Sequence, residues 1–305
     1  MIRLLAAEWL GFRSRKIVRW LMVLTLIGIV VAAIIAGSVS HKPAEADLAR
    51  AQQLYETGLA DCIRQDGFSS ELPAGTSVEE YCRSLFSESD YAPSGLRLDG
   101  LDEIVLGAAF IVVLIGLVIG ASMVGAAWQS GTITTILTWE PRRVRWFFAR
   151  LAVVGLGATL VAAVLLTVLA FAIGLATALR GTTATTTPWL ADSALAIARI
   201  AVVGGGVSMI GAAVAMIGRH TAAALGAVFV YMAVLENIVR GLRPGLGRFL
   251  LGDNIGVAVT ATRTSLFQGE SVFVLTPQHG AVVIAVYVIV LVAAAMVLLR
   301  ARDVN

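Results

Sequence analysis

Six long apolar runs, at residues 17–37, 104–127, 147–179, 193–218, 221–240 and 280–299, constrain this chain more than any other feature. A helix needs roughly 20 apolar residues to cross the hydrocarbon core of a bilayer, and each run reaches that length. All seven prolines (Pro43, Pro73, Pro93, Pro141, Pro188, Pro244, Pro277) fall outside the runs. Proline inside a helix removes a hydrogen bond and clashes with the preceding turn, so the runs read as continuous helices. The composition agrees, with 58% hydrophobic and 14% charged residues, against about 45–50% and 25% in soluble domains. The expected fold class is all-α: a polytopic membrane protein with six transmembrane helices, forming a single domain over 1–305. The first run is too long for the core of a signal peptide and no small-residue cleavage site comes after it, so no cleavable leader is expected.

The formal net charge of +3 hides an asymmetry. Residues 38–102 hold twelve acids and five bases, and both cysteines, Cys62 and Cys82. Two cysteines in one aqueous loop and none in the spans suggest a disulfide, which persists in an oxidising compartment. Two unpaired thiols are the other reading. Twelve basic residues cluster on one side of the runs: Arg3, Arg13, Arg15, Lys16, Arg19, Arg142, Arg143, Arg145, Arg150, Arg219, Arg300 and Arg302. Outside the acidic loop, the other side has five: Arg180, Arg240, Arg243, Arg248 and Arg263. Cytoplasmic loops carry the excess of Lys and Arg, which puts both termini in the cytoplasm and makes 38–102 an extracytoplasmic loop. Segment 241–279 is basic yet falls outside. Its apolar stretches at 249–251 and 255–259, punctuated by Gly, suggest a re-entrant segment before the last helix, tolerated where protein shields the backbone. Arg outnumbers Lys by 21 to 2, a bias of GC-rich coding that fits a bacterial, actinobacterial-like origin and hence a bacterial plasma membrane.

Two short segments carry more than topology. Residues 1–16 mix Leu4, Leu5, Trp9, Leu10 and Phe12 with Arg3, Glu8, Arg13, Arg15 and Lys16. The mixture suits an interfacial helix with its apolar side in the membrane, or a plain charged flank to the first span. In 128–146, Gly131 can break the second span, Ile133, Ile136 and Leu137 stand at helical spacing, and Pro141 stops the short helix ahead of Arg142, Arg143 and Arg145. From the residues alone this is either a docking helix for a peripheral partner or an ordinary loop with anchoring arginines.

Ionisable groups inside the runs are costly and face a partner or water. Arg199 and Glu236 both lie toward the outer side, so an Arg199–Glu236 or Arg199–Asp192 pair is feasible, lining a path or serving structure. His41, His220 and His279 fall on different sides, so no metal cluster is expected. The sequence has no Gly-x-Ser-x-Gly elbow and no Gly-x-x-x-x-Gly-Lys-Ser/Thr phosphate loop. Gly204-Gly205-Gly206 lies within an apolar run with no following Lys and reads as a helix-packing site. No catalytic residue is assigned.

Taken together, these pieces resemble the permease subunit of type-2 ATP-binding-cassette exporters. The resemblance rests on the N-terminal piece ending Arg13-Ser14-Arg15-Lys16, the large loop after the first span, and the run Gly131-Thr132 … Leu137-Thr138 … Pro141-Arg142-Arg143. It also includes the fifth-span end Tyr231 … Leu235-Glu236 … Ile238-Val239 with a broken segment after it. Such proteins often carry an acid before the Gly-Thr step and a Lys after the Pro-Arg run; this chain has Gln129 and Arg150 near those places. The resemblance implies that Gly131, Thr132, Leu137, Pro141, Arg142 and Arg143, with the interfacial Trp9, Arg13, Arg15 and Lys16, form the surface gripped by a separate ATPase. It also implies pairing with a second permease copy or a paralogue, contact with membrane lipid and none with nucleic acid. ATP and Mg would sit on the ATPase and no cofactor on this chain. A secondary transporter or a non-catalytic membrane scaffold is the alternative.

Overall fold

The structure, a computed structural model, describes residues 2–40, 44–64, 77–85, 91, 96–139, 142–181, 188–262, 264–268 and 271–301. Six of its helices are long and apolar enough to cross a membrane, and every expected run lies within one of them. They are α2 (Lys16–Val39), α5 (Leu101–Gln129), α7 (Arg143–Arg180), α8 (Trp189–Gly218), α9 (Thr221–Leu242) and α11 (Pro277–Ala301). The short α1 (Ile2–Ser14) precedes α2, with Arg15 alone between them.

Chain contacts divide the molecule into two compact units. The smaller comprises Val31–Gly100 and Ala172–Thr187. Within it, the acidic region folds into α3 (Glu45–Arg64) and α4 (Val78–Leu85). The Cys62–Cys82 disulfide joins these helices, with Cα atoms 6.0 Å apart, so the two cysteines are paired and buried. The C-terminal end of α7 packs on the end of α2: Arg180 donates to the Gly37 carbonyl at 3.3 Å, and Ser40 Oγ accepts from the Leu96 amide at 2.9 Å.

The larger unit comprises Met1–Val30, Leu101–Phe171 and Pro188–Asn305. Its most enclosed element is α8. Gly116 of α5 lies against the Gly204 carbonyl, and Gly120 against the Ser208 carbonyl, so the two backbones nearly touch. Gly205 faces Thr159 and the Gly155 carbonyl of α7, while Gly206 faces Ile284 of α11. The triple glycine is therefore a packing site that admits three neighbours to one helix. In lipid, where apolar burial gives little drive for helix association, such close approach is what holds helices together. A two-residue turn joins α8 to α9. Arg219 adopts φ +54° and closes α8, and His220 Nδ1 accepts from the amides of Ala222 and Ala223, which α9 itself leaves unpaired.

Two irregularities shape the functional regions. Gly131, at φ +67°, ends α5 and starts the short α6 (Thr132–Trp139). In α9, residues Tyr231–Leu235 form a π turn, closed by the Glu236 amide on the Tyr231 carbonyl. One extra residue in a turn rotates the remainder of a helix by about 100°. After α9 come a 3-10 turn (Pro244–Phe249), α10 (Leu251–Thr260) and an antiparallel hairpin, β1 (Thr264–Gln268) with β2 (Ser271–Leu275). The hairpin was not expected from the sequence. It is a minor addition to an otherwise helical fold.

Candidate functional site

At the end of the larger unit where α1, α6 and the α8–α9 turn lie, α1 is bolted to two spans. Glu8 of α1 accepts from Trp146 Nε1 at 2.9 Å and pairs with Arg150 at 3.2 Å, both charges being nearly buried. Arg150 stacks over the Trp146 ring, 5.2 Å from its centroid, and donates to the Met123 carbonyl of α5. Arg15 donates to the carbonyls of Ser122 and Met123 at 2.9 and 3.2 Å. The Ser122 carbonyl has two lone pairs, so it can keep its ladder bond and still accept from Arg15, while the two guanidiniums share the Met123 oxygen. Burial pulls the Arg15 guanidinium below its usual range, and Glu8 partly restores it. Phe12, stacked on Trp9 at 5.7 Å, fills the space above Gly157, where a methyl would sit 2.6 Å from its ring.

The α5–α7 connection sits at this same end. Ile133 is fully buried and Ile136 half-buried on one face of α6, with Thr135 and Thr138 exposed. Thr132 Oγ1 lies 2.6 Å from Ser130 Oγ. Arg142 is exposed, whereas Arg143 reaches the Leu299 carbonyl of α11 at 3.4 Å. Pro141 and the side chain of Leu137 lie outside the described residues. Arg13 and Lys16 are exposed. Trp128, at the end of α5, carries Arg219 on its ring face at 4.6 Å and donates to Met216 Sδ at 3.2 Å.

A second cluster occupies the opposite end of α9. Glu236, only 2% exposed, accepts the Gly252 amide at 3.0 and 3.2 Å through its two oxygens. Arg240 bonds Asp253 at 2.7 Å and lies 4.0 Å from Glu236. Tyr287 donates to the Phe249 carbonyl at 3.1 Å. Its one proton is thereby committed, so Tyr231 donates across the 2.6 Å contact between the two hydroxyls. Asn254 holds the carbonyls of Arg248 and Leu250. His279 Nε2 lies 2.9 Å from the Arg248 carbonyl, an acceptor that requires the Nε2–H tautomer.

The intramembrane charges are placed differently from the expected pairs. Glu236 spends its carboxylate on Gly252 and Arg240. Asp192 is exposed in the first turn of α8, where the helix dipole favours an acid. Arg199 is half-buried and joins no ion pair among the described residues. The Glu8–Arg150–Trp146 cluster was missed from the sequence. One signal for it existed: Glu8 is the first acid in the chain, and no other occurs before Glu45.

The decisive comparison is with protein families. The model of the ABC-2 membrane transporter related family matches residues 44–243, more than half of the chain. The chain belongs to this family. As an ABC-2 permease, it is a multi-pass membrane component whose counterpart is an ABC ATPase subunit, and such components are not generally catalytic themselves. The matched region runs from the start of the disulfide-bonded helices to the end of α9, and so includes α6 and the Glu8-binding face of α7. Among curated proteins none matches the chain.

Proposed function

We propose that this ABC-2 permease is the membrane-spanning half of an ATP-driven exporter. It works beside a second copy or a paralogue and receives its energy from a separate ATPase that grips α1 and the α5–α7 connection. The observation that carries this reading is the attachment of α1 to α5 and α7 through Glu8, Arg15 and Arg150. A helix fixed in this way passes displacement to two spans, and Arg143 extends the link to the end of α11. In this reading both termini are cytoplasmic in a bacterial plasma membrane, α1 lies in the inner interface, and α3 and α4 stand outside. Segment 241–279 dips into the membrane from the outside, with Arg199 and Glu236 near the translocation path. ATP and Mg belong to the ATPase. Its closure shifts the permease between inward- and outward-open states through differential contacts.

The test is co-purification with the cognate ATPase and transport in sealed vesicles. Pro141→Ala combined with Arg142→Glu is expected to abolish ATPase association while the permease stays folded. Intact association would remove the docking assignment. Cargo movement by the purified permease without the ATPase would overturn the reading as a whole.

A further inference from the structure

An open groove of about 590 Å³ lies where the start of α2, the end of α5 and the start of α9 meet. Arg15, Lys16, Ile17, Gln129, Ser130 and Thr221 contribute the features that matter. Three span ends meet here, so the groove sits at the level where a membrane presents its headgroups, whichever way the protein faces.

Its chemistry is one-sided. The lining has two cations and no acid. Glu8, the acid that acts on Arg15, is shared with Arg150, and two cations around one carboxylate leave that neighbourhood positive. Arg15 is held partly out of water by its bonds to helix carbonyls, and a desolvated cation attracts an anion more strongly than a solvated one. Lys16 is exposed. Thr221 closes the groove on the α9 side. Ile17, exposed on α2, continues from the cations toward the apolar part of the helix. A soluble anion would use only the charged portion. A molecule with a phosphodiester and an acyl chain uses all of it.

From this geometry we infer that the groove binds the headgroup of an anionic phospholipid, with Lys16 and Arg15 on the phosphodiester and Ile17 along the first methylenes of the chain. The groove does not depend on the ATPase reading, although Arg15 and Lys16 belong to both surfaces. Arg15 contributes its charge while its carbonyl bonds stay in place, and the groove would hold whichever partner drives the permease.

The test is native mass spectrometry of the full chain released from micelles equilibrated separately with phosphatidylglycerol, phosphatidylcholine or inorganic phosphate. Phosphatidylglycerol adducts are expected to survive where phosphatidylcholine adducts are lost. Gln129→Glu, a near-isosteric change, places one negative charge in the groove and is expected to lower phosphatidylglycerol retention about fivefold, the effect of one unit charge near an anionic lipid. Lys16→Glu is expected to lower it further. Arg300→Glu, on exposed α11 surface, is expected to leave retention unchanged. Equal retention of the two lipids would overturn the inference. So would an Arg300→Glu effect matching that of Lys16→Glu, since diffuse basic charge would then explain the preference. Phosphate binding with the same sensitivity to the variants would make the ligand a soluble anion, and would overturn it as well.

Discussion

Both carboxylate oxygens of Glu236 in α9 rest on the amide of Gly252 in the first turn of α10, at 3.0 and 3.2 Å. The contact depends on the π turn just before it. Val234 and Leu235 are exposed while Glu236 is buried, so the extra residue turns the acid inward, off the apolar face. Glu236→Ala leaves the buried Gly252 amide without its acceptor, while Arg240 keeps Asp253. It is expected to cost about 1–3 kcal/mol, the penalty of an unmet buried donor. Glu236→Gln keeps one acceptor and is expected to cost less. Thermal unfolding of both variants in detergent gives the order.

The buried Glu8–Arg150 pair yields a sharper contrast. Removing one partner of such a pair costs about 3–5 kcal/mol, whereas replacing both with apolar groups is often neutral. Glu8→Leu alone is therefore expected to destabilise strongly, and Glu8→Leu with Arg150→Met to recover most of the loss. A double-mutant cycle on melting temperature measures the coupling.

At the α5–α8 contact, Gly120→Ala drives a methyl into the Ser208 carbonyl and is expected to cost about 1–3 kcal/mol through overpacking. Gly107→Ala, on the same helix but with nothing within 4 Å, is expected to be neutral or to stabilise by about 0.4–1 kcal/mol, because alanine restricts the unfolded chain. Equal effects would mean that the two backbones are not in contact.

Gly131 is the only glycine with positive φ among the described residues. Gly131→Val is expected to cost about 1–2 kcal/mol, the penalty of an L side chain in that region, and to change the direction in which α6 leaves α5. Gly131→Asn is expected to be milder. The readout is ATPase stimulation in the reconstituted complex beside the melting temperature.

Alkylation of the unreduced protein is expected to label neither Cys62 nor Cys82, and of the reduced protein both. Replacing both with Ser is expected to weaken the α3–α4 pair by about 2–4 kcal/mol, following the loop-entropy account of disulfides. Limited proteolysis between residues 45 and 85 should then quicken.

The six spans were legible because the bilayer imposes a length and an apolarity that few other constraints mimic, and the prolines marked their edges. Gly131 and the cysteines were legible for similar reasons: only glycine adopts that conformation easily, and few residues besides cysteine cross-link. The site contacts were harder to read. Glu8 reaches Arg150 across 142 positions, and no periodicity encodes such a meeting. Arg199 and Glu236 looked like partners because both are charges in apolar runs, yet the π turn in α9 gave Glu236 a backbone amide instead. That turn leaves no mark in the composition of Tyr231–Leu235, and the hairpin at 264–275 is too short to stand out from its loop.

The carbonyl of Met123 receives both Arg15 and Arg150, and a main-chain oxygen cannot be mutated away. Residue 123 is thus free to drift in evolution as far as these bonds are concerned. The constraint falls wholly on the two guanidiniums, because Lys carries its charge at a single nitrogen rather than on a planar fork. In this chain the anchoring of the first helix therefore rests on the side chains at positions 15 and 150, while position 123 supplies only its backbone to these bonds.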